Sequence, residues 1–237
     1  METRRITYSD GNTDYLGELY WEAGDAPRPG IVVFPEAFGL NDHARERARR
    51  LAAIGYVAFA ADLHGGGAIL DSMEALGPRM QALFADRTLW RAMAGAALDT
   101  LAAQAEADAG KLGAIGFCFG GATCLELARS GAALAGIASF HGGLKEEIDG
   151  DAGRIRASVL VLHGAEDPLL GAGTIDAVMT EFRRDQVDWQ FTYYGNALHS
   201  FTDPEADTRG MDGLAYDART EARSWNAMAA FFDELFN

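Results

Sequence analysis

Three side chains of this sequence could together do covalent chemistry on a carbonyl: Cys118, Asp167 and His199. Cys118 sits in Gly116-Phe117-Cys118-Phe119-Gly120-Gly121, between the short apolar run 112–115 and the helix-forming stretch 122–129. A strand that turns at once into a helix, with a nucleophile at the turn, is a nucleophile elbow. The turn holds the nucleophile in strained backbone geometry, and a Cβ at position 116 or 120 would collide with its neighbours. The sulfur then stands at a helix N-terminus, where the positive end of the dipole favours a thiolate. Asp167 lies in Gly164-Ala165-Glu166-Asp167-Pro168, directly after the apolar run 158–163. His199 lies in 195–201, just beyond the alternating run 187–193. In that arrangement Asp167 holds the tautomer of His199, and His199 takes the thiol proton and later activates water. Singly, each has a structural alternative: a tightly packed cysteine, a turn-former before Pro168, a surface histidine. It is their order and placement together that point to nucleophilic catalysis.

The elements that must bring them together are legible as alternating strands and helices. Runs 4–9 and 15–21 around Asp10-Gly11-Asn12 read as a hairpin, and 22–29 as a turn-rich connector. Residues 30–34 and 56–60 read as strands buried on both faces. A helix capped by Asn41 or Asp42 lies between them and ends at Gly55. Residues 70–107 read as helices broken near Gly77-Pro78 and again at Asp86-Arg87. After the elbow come strands at 136–140, 158–163 and 187–193, with a helix at 174–184. A loop of about 20 residues, by turn composition, leads to a final amphipathic helix over 218–236. Strands alternating with helices predict an α/β fold with a mostly parallel central sheet flanked by helices on both faces, as a single domain over 1–237. In such sheets sites lie at the carboxyl ends of strands, where Cys118, Asp167, His199 and the segment 35–39 all fall.

Composition narrows the function. The formal net charge of −15 argues against nucleic acid and anionic membranes as partners. No apolar run is long enough to span a bilayer. The start, METRRITYSDG, has no apolar stretch of the kind that follows the basic residues of a secretory signal, so a cytoplasmic protein is expected. Cys118 and Cys124 on one helix would be about 9 Å apart along its axis, too far for a disulfide. Asp62, His64, His141 and His163 also fall near strand ends, but with no metal-ligand spacing, and the glycine triplet 65–67 lacks the phosphate-loop context. No metal or cofactor is expected.

With these pieces in view, the sequence resembles the dienelactone hydrolase (carboxymethylenebutenolidase) family of the α/β-hydrolase superfamily. The matching segments are PEAFGLN at 35–41, GFCFGG at 116–121, HGAEDP at 163–168 and LHSF at 198–201. The resemblance implies Cys118, Asp167 and His199 as the triad. It implies for Glu36 a part in making the thiolate as substrate binds. The oxyanion hole of this fold takes its two N–H donors from Phe119, after the nucleophile, and from Ala37. Phe38 and Phe119 are candidates to wall the acyl pocket, and Arg79, Arg87 or Arg91 falls in the region that supplies a family arginine. Family members acting on dicarboxylate lactones place another arginine shortly after the catalytic histidine; here the residue at that spacing is Asp203. The expected substrate is therefore a small ester or lactone, with the protein a monomer or homodimer. An acyl transferase, or a non-hydrolytic binding protein on the same fold, is the alternative.

Overall fold

The computed structural model describes residues 1–24 and 26–237; position 25, within the predicted connector 22–29, lies outside them. Among the described residues, eight strands and six α-helices form two compact units, Met1–Ile115 and Gly116–Asn237.

In the first unit the predicted hairpin is present. Strands β1 (Glu2–Ser9) and β2 (Asp14–Trp21) pair antiparallel from Glu2↔Trp21 to Ser9↔Asp14. The Asp10 carboxylate closes the turn by accepting the amides of Asn12 and Thr13, each at 2.8 Å. Strands β3 (Arg28–Phe34) and β4 (Val57–Ala60) pair parallel, and from Gly30 and Val57 onward neither exposes a residue, as their unbroken apolar runs require. Between them runs α1 (Asp42–Ala53), capped by the Asn41 side chain on the Ala44 amide and stopped at Gly55. The order of these strands in the sheet is β1-β2-β4-β3.

Helix α2 (Met73–Ala85) corrects one expectation, because it continues through Gly77-Pro78. The proline removes a single donor, and burial of Leu76 and Leu83 on either side keeps the helix whole. The second predicted break is real. Asp86 ends α2 and caps α3 (Arg87–Ala102), accepting the amides of Thr88 and Leu89 at 2.9 and 3.1 Å.

Strand β5 (Ala107–Phe117) starts five residues before the predicted run and crosses the division between the units to reach the elbow. The second unit then places α4 (Phe119–Arg129), β6 (Gly136–Phe140), β7 (Ser158–Gly164), α5 (Ala172–Arg184), β8 (Trp189–Tyr194) and α6 (Ala218–Phe236). Strands β6, β7 and β8 form a continuous parallel ladder, with Ile137↔Val159 and Val161↔Phe191 in register. Helix α6 lies tightly over β6: a Cβ at Gly136 would come within 2.4 Å of Leu235 Cδ1 and 2.9 Å of Phe231 Cε1.

Arg129, at the end of α4, is fully buried. It donates to Glu181 on α5 at 3.0 and 2.5 Å, to Glu126 at 2.9 Å and to the Lys145 carbonyl at 2.9 Å. This cluster ties α4, which begins at the elbow, to α5.

Candidate active site

The elbow forms as its residues dictate. Cys118 has φ 53°, ψ −114°, a left-handed conformation that a residue with a side chain holds only under constraint. The constraint comes from both ends. A Cβ at Gly116 would lie 2.0 Å from the Gly120 carbonyl oxygen, and one at Gly121 would lie 2.6 Å from Ser139 Oγ. The Cys118 amide donates to the Phe140 carbonyl at 3.0 Å, and the Cys118 carbonyl accepts from Gly143 at 3.2 Å. The side chain is half-buried, whereas Cys124 is fully buried and burial pushes its thiol well above the ordinary range.

Asp167 and His199 come from loops stitched to each other. The Glu166 amide donates to the Ala197 carbonyl at 3.0 Å, and a Cβ at Gly164 would lie 2.5 Å from that same oxygen. Gly213 packs on Pro168 so closely that a Cβ there would meet Pro168 Cγ at 2.4 Å. The His199 backbone is fixed by Gly213 and Ala215, at 3.0 and 3.1 Å, so the predicted long loop folds back on itself. The result is a hydrogen bond of 2.7 Å from His199 Nδ1 to Asp167 Oδ2, both side chains buried. A carboxylate only accepts, so Nδ1 carries the proton and Nε2 is left for the reacting partner. Nε2 is buried and makes no hydrogen bond of ordinary geometry. Burial opposes charge on this imidazole, but the Cys118 sulfur and the hydrogen bond to Asp167 outweigh it and push its pKa up to about 10.

Other histidines are explained locally. His163 Nδ1 is 3.9 Å from Asp167 Oδ2, and burial lowers its pKa, so it is a neutral ring beneath the acid. His64 Nε2 donates to the Ala37 carbonyl at 2.7 Å. The glycine triplet is the wrapping of one carboxylate: Asp62 accepts the amides of Leu16, His64, Gly65 and Gly67 at 3.0, 2.9, 3.2 and 2.7 Å. Among the described residues no group of three or more acidic, histidine or cysteine side chains is arranged to hold a metal ion.

In the first unit Glu36 is buried at the end of β3, in a turn closed by the Gly39 amide on the Glu36 carbonyl at 3.1 Å. His43 Nδ1 lies 2.6 Å from Glu36 Oε1, and Asn41 Nδ2 donates to Oε2 at 3.2 Å. Arg47 Nε donates to His43 Nε2 at 2.9 Å, which leaves the His43 proton on Nδ1, facing the carboxylate. Sequence reasoning passed over His43 and Arg47; their i, i+4 spacing on a helix starting just after Glu36 was the available signal. Ala37 and Phe38 are both half-buried in the same turn, and Phe119 is buried at the start of α4. Of the arginines, Arg79 donates to the Leu63 carbonyl at 2.8 Å and Arg87 stacks over Trp90 at 5.2 Å. Arg91 lies half-buried on α3.

The acidic loop after His199 is less bare than its composition suggests. Asp203 is buried and paired with Arg209, and Asp217 caps α6, donors at Thr220 holding its carboxyl below the usual range. Glu205, Asp207 and Asp212 are the members left exposed.

Strand-to-helix elbow, acid after β7 and histidine after β8 are the marks of an α/β hydrolase. Solved structures share this fold along the whole chain. That of m3DLH is 66% identical with a TM-score of 0.98, covering 100% of this chain and 99% of the other. A dienelactone hydrolase-like promiscuous phosphotriesterase from metagenomic libraries is 60% identical with a TM-score of 0.98, at the same coverage. The dienelactone hydrolase family model matches residues 17–236, and the chain belongs to that family. A candidate carboxymethylenebutenolidase of Methylorubrum extorquens is 30% identical over 96% of this chain and 79% of its own length. The protein is thus a hydrolase of the ester- and lactone-cleaving class. No helix among the described residues is long and apolar enough to cross a membrane.

Proposed function

We propose that this chain, acting as one hydrolase domain, cleaves a small neutral ester or lactone through a Cys118–His199–Asp167 triad and an acyl-enzyme. The observation that carries the reading is the 2.7 Å bond from His199 to Asp167 beside a strained, half-buried Cys118. As substrate binds, His199 takes the Cys118 proton, which makes the thiolate and the imidazolium. The thiolate attacks the carbonyl carbon, and the oxyanion is stabilised by the amides of Phe119 and Ala37. Collapse expels the alkoxide, which takes the His199 proton and leaves a thioester. His199, now neutral, removes a proton from water; the hydroxide adds to the thioester, and collapse releases the acid and restores thiolate and imidazolium. Glu36 has the role of assisting thiolate formation, supported by a carboxylate whose two oxygens are engaged by His43 and Asn41. No step requires a cofactor.

The test is pre-steady-state hydrolysis of p-nitrophenyl acetate. A burst of one nitrophenol per chain, lost after alkylation with iodoacetamide, is expected; steady turnover untouched by alkylation would sink the reading. Transfer to an acceptor other than water would appear as an ester or amide product in place of acetate.

A second activity, phosphotriester hydrolysis, has support in the 60% identical relative described as a promiscuous phosphotriesterase. The same thiolate and oxyanion donors would serve attack at phosphorus.

Neutral substrates are expected to be preferred over carboxylate-bearing lactones, through the exposed Glu205, Asp207 and Asp212. Since surface charges contribute up to about 1 kcal/mol and are screened by salt, the preference should be roughly fivefold at most. A lactone acid and its methyl ester, compared by kcat/KM at low and moderate salt, check it. A free acid that is favoured at low salt and loses its advantage at higher salt would reveal an arginine clamp instead.

A further inference from the structure

His141 stands outside the proposed triad yet touches two of its members. It follows β6 with φ 39°, and its side chain is fully buried. A residue with a side chain persists in that region only where its surroundings over-determine it. Its Nδ1 accepts the N–H of Cys118 at 3.2 Å, sharing that donor with the Phe140 carbonyl. A nitrogen that accepts carries no proton, so the proton of the neutral ring is on Nε2, where Thr202 Oγ1 accepts it at 2.8 Å. The ring meets His199 edge-on, with centroids 5.1 Å apart and planes at 67°, and Phe201 packs on it at 5.1 Å and 83°. The segment also holds Cys118 from its other side, through Gly143 on the Cys118 carbonyl at 3.2 Å.

We infer that His141 is a positioning residue, a neutral imidazole locked as the Nε2–H tautomer by Thr202, which fixes both the Cys118 backbone and the plane of His199. The inference rests on the triad reading above. One ring does both tasks because its nitrogen faces the nucleophile's amide while its edge faces the base. Neutrality is part of the function. Protonation at Nδ1 would end its bond to the Cys118 amide and set a second positive ring against the His199 imidazolium. The strained backbone aims the ring: in an ordinary extended conformation the side chain of residue 141 would leave the elbow.

The experiment uses the full chain. Nitrogen-15 NMR at neutral pH should find His141 as the Nε2–H tautomer; a proton on Nδ1 would overturn the inference. His141→Leu should lower kcat for p-nitrophenyl acetate on the order of 10–100-fold, with KM changed no more than about twofold, the signature of misplaced reacting groups. His141→Asn, which tolerates positive φ and offers a carbonyl to the Cys118 amide, should recover kcat to within about tenfold of wild type. Thr202→Val should lower kcat in the same direction by a smaller factor, and it decides the matter, with the NMR result, if His141→Leu does not fold. A ring that only fills space would lower Tm in these variants and leave kcat of the folded protein intact, and that outcome overturns the inference. Cys118→Ala run alongside separates the two claims: full activity there removes the triad reading itself, while an inactive Cys118→Ala with unaltered His141 and Thr202 variants removes only the positioning role.

Discussion

Cys118→Ala abolishes ester hydrolysis, a fall of roughly 10⁴-fold or more in kcat, because triad members act as a unit and loss of the nucleophile removes most of their joint effect. The fold survives, since alanine keeps the same backbone conformation at φ 53° and gives up no hydrogen bond of the elbow. Cys124→Ala retains activity: that thiol is fully buried, and burial holds it protonated. Purified variants compared by hydrolysis rate and thermal melting check the pair, and an active Cys118→Ala with a dead Cys124→Ala would reverse the assignment. The same variant carries a pH signature. In the wild type, burial resists charge on His199, yet the Cys118 sulfur and Asp167 raise its pKa to about 10. That lies above the unfolded value of about 6.5, so the imidazolium stabilises the fold in full below about pH 6.5. The contribution is lost as pH rises through about 10. Removing the sulfur leaves burial opposed by Asp167 alone. His199 should then titrate at lower pH, and the loss of stability between neutral and alkaline pH should shrink. NMR titration of His199 and urea melts across that range measure both.

The largest stability effect belongs to a residue far from any chemistry. Arg129→Ala should cost about 3–5 kcal/mol, because it strands Glu126 and Glu181 as buried carboxylates without their cation. Both glutamates and the arginine are essentially inaccessible. Replacing the cluster together, Arg129→Met with Glu126→Met and Glu181→Leu, should recover most of that loss, since a buried ion cluster contributes little beyond an apolar one of equal volume. Urea midpoints of the single and triple variants test this. An arginine substitution costing less than about 1 kcal/mol, the level of an exposed pair, would show that water reaches the cluster.

Much of the site was legible because it is written in short range. The elbow depends on small residues within five positions of Cys118, and the buried strands on unbroken apolar runs, so both can be read from neighbours in sequence. Asn41 or Asp42 as the cap of one helix, and Asp86-Arg87 as a break between two others, could be read from local chemistry that needs no tertiary partner. The order of Cys118, Asp167 and His199 along the chain, each after a strand, pointed to one site before any distance was known. The distances themselves were not legible. The bond of 2.7 Å between His199 and Asp167 exists because Gly164, Ala197, Gly213 and Pro168 bring two loops into contact across 32 residues of chain. Asp203 looked like a bare charge after the histidine until packing buried it against Arg209. His141 read as one histidine among several beneath the sheet end; its tautomer is set by Thr202, 61 positions away. Local backbone preference and hydrophobic periodicity act between neighbours, so sequence alone determined the elements and which residues stand at their ends. Hydrogen-bond partners, ionisation and burial are set by whatever the fold brings within a few ångströms, and only the tertiary structure decided those.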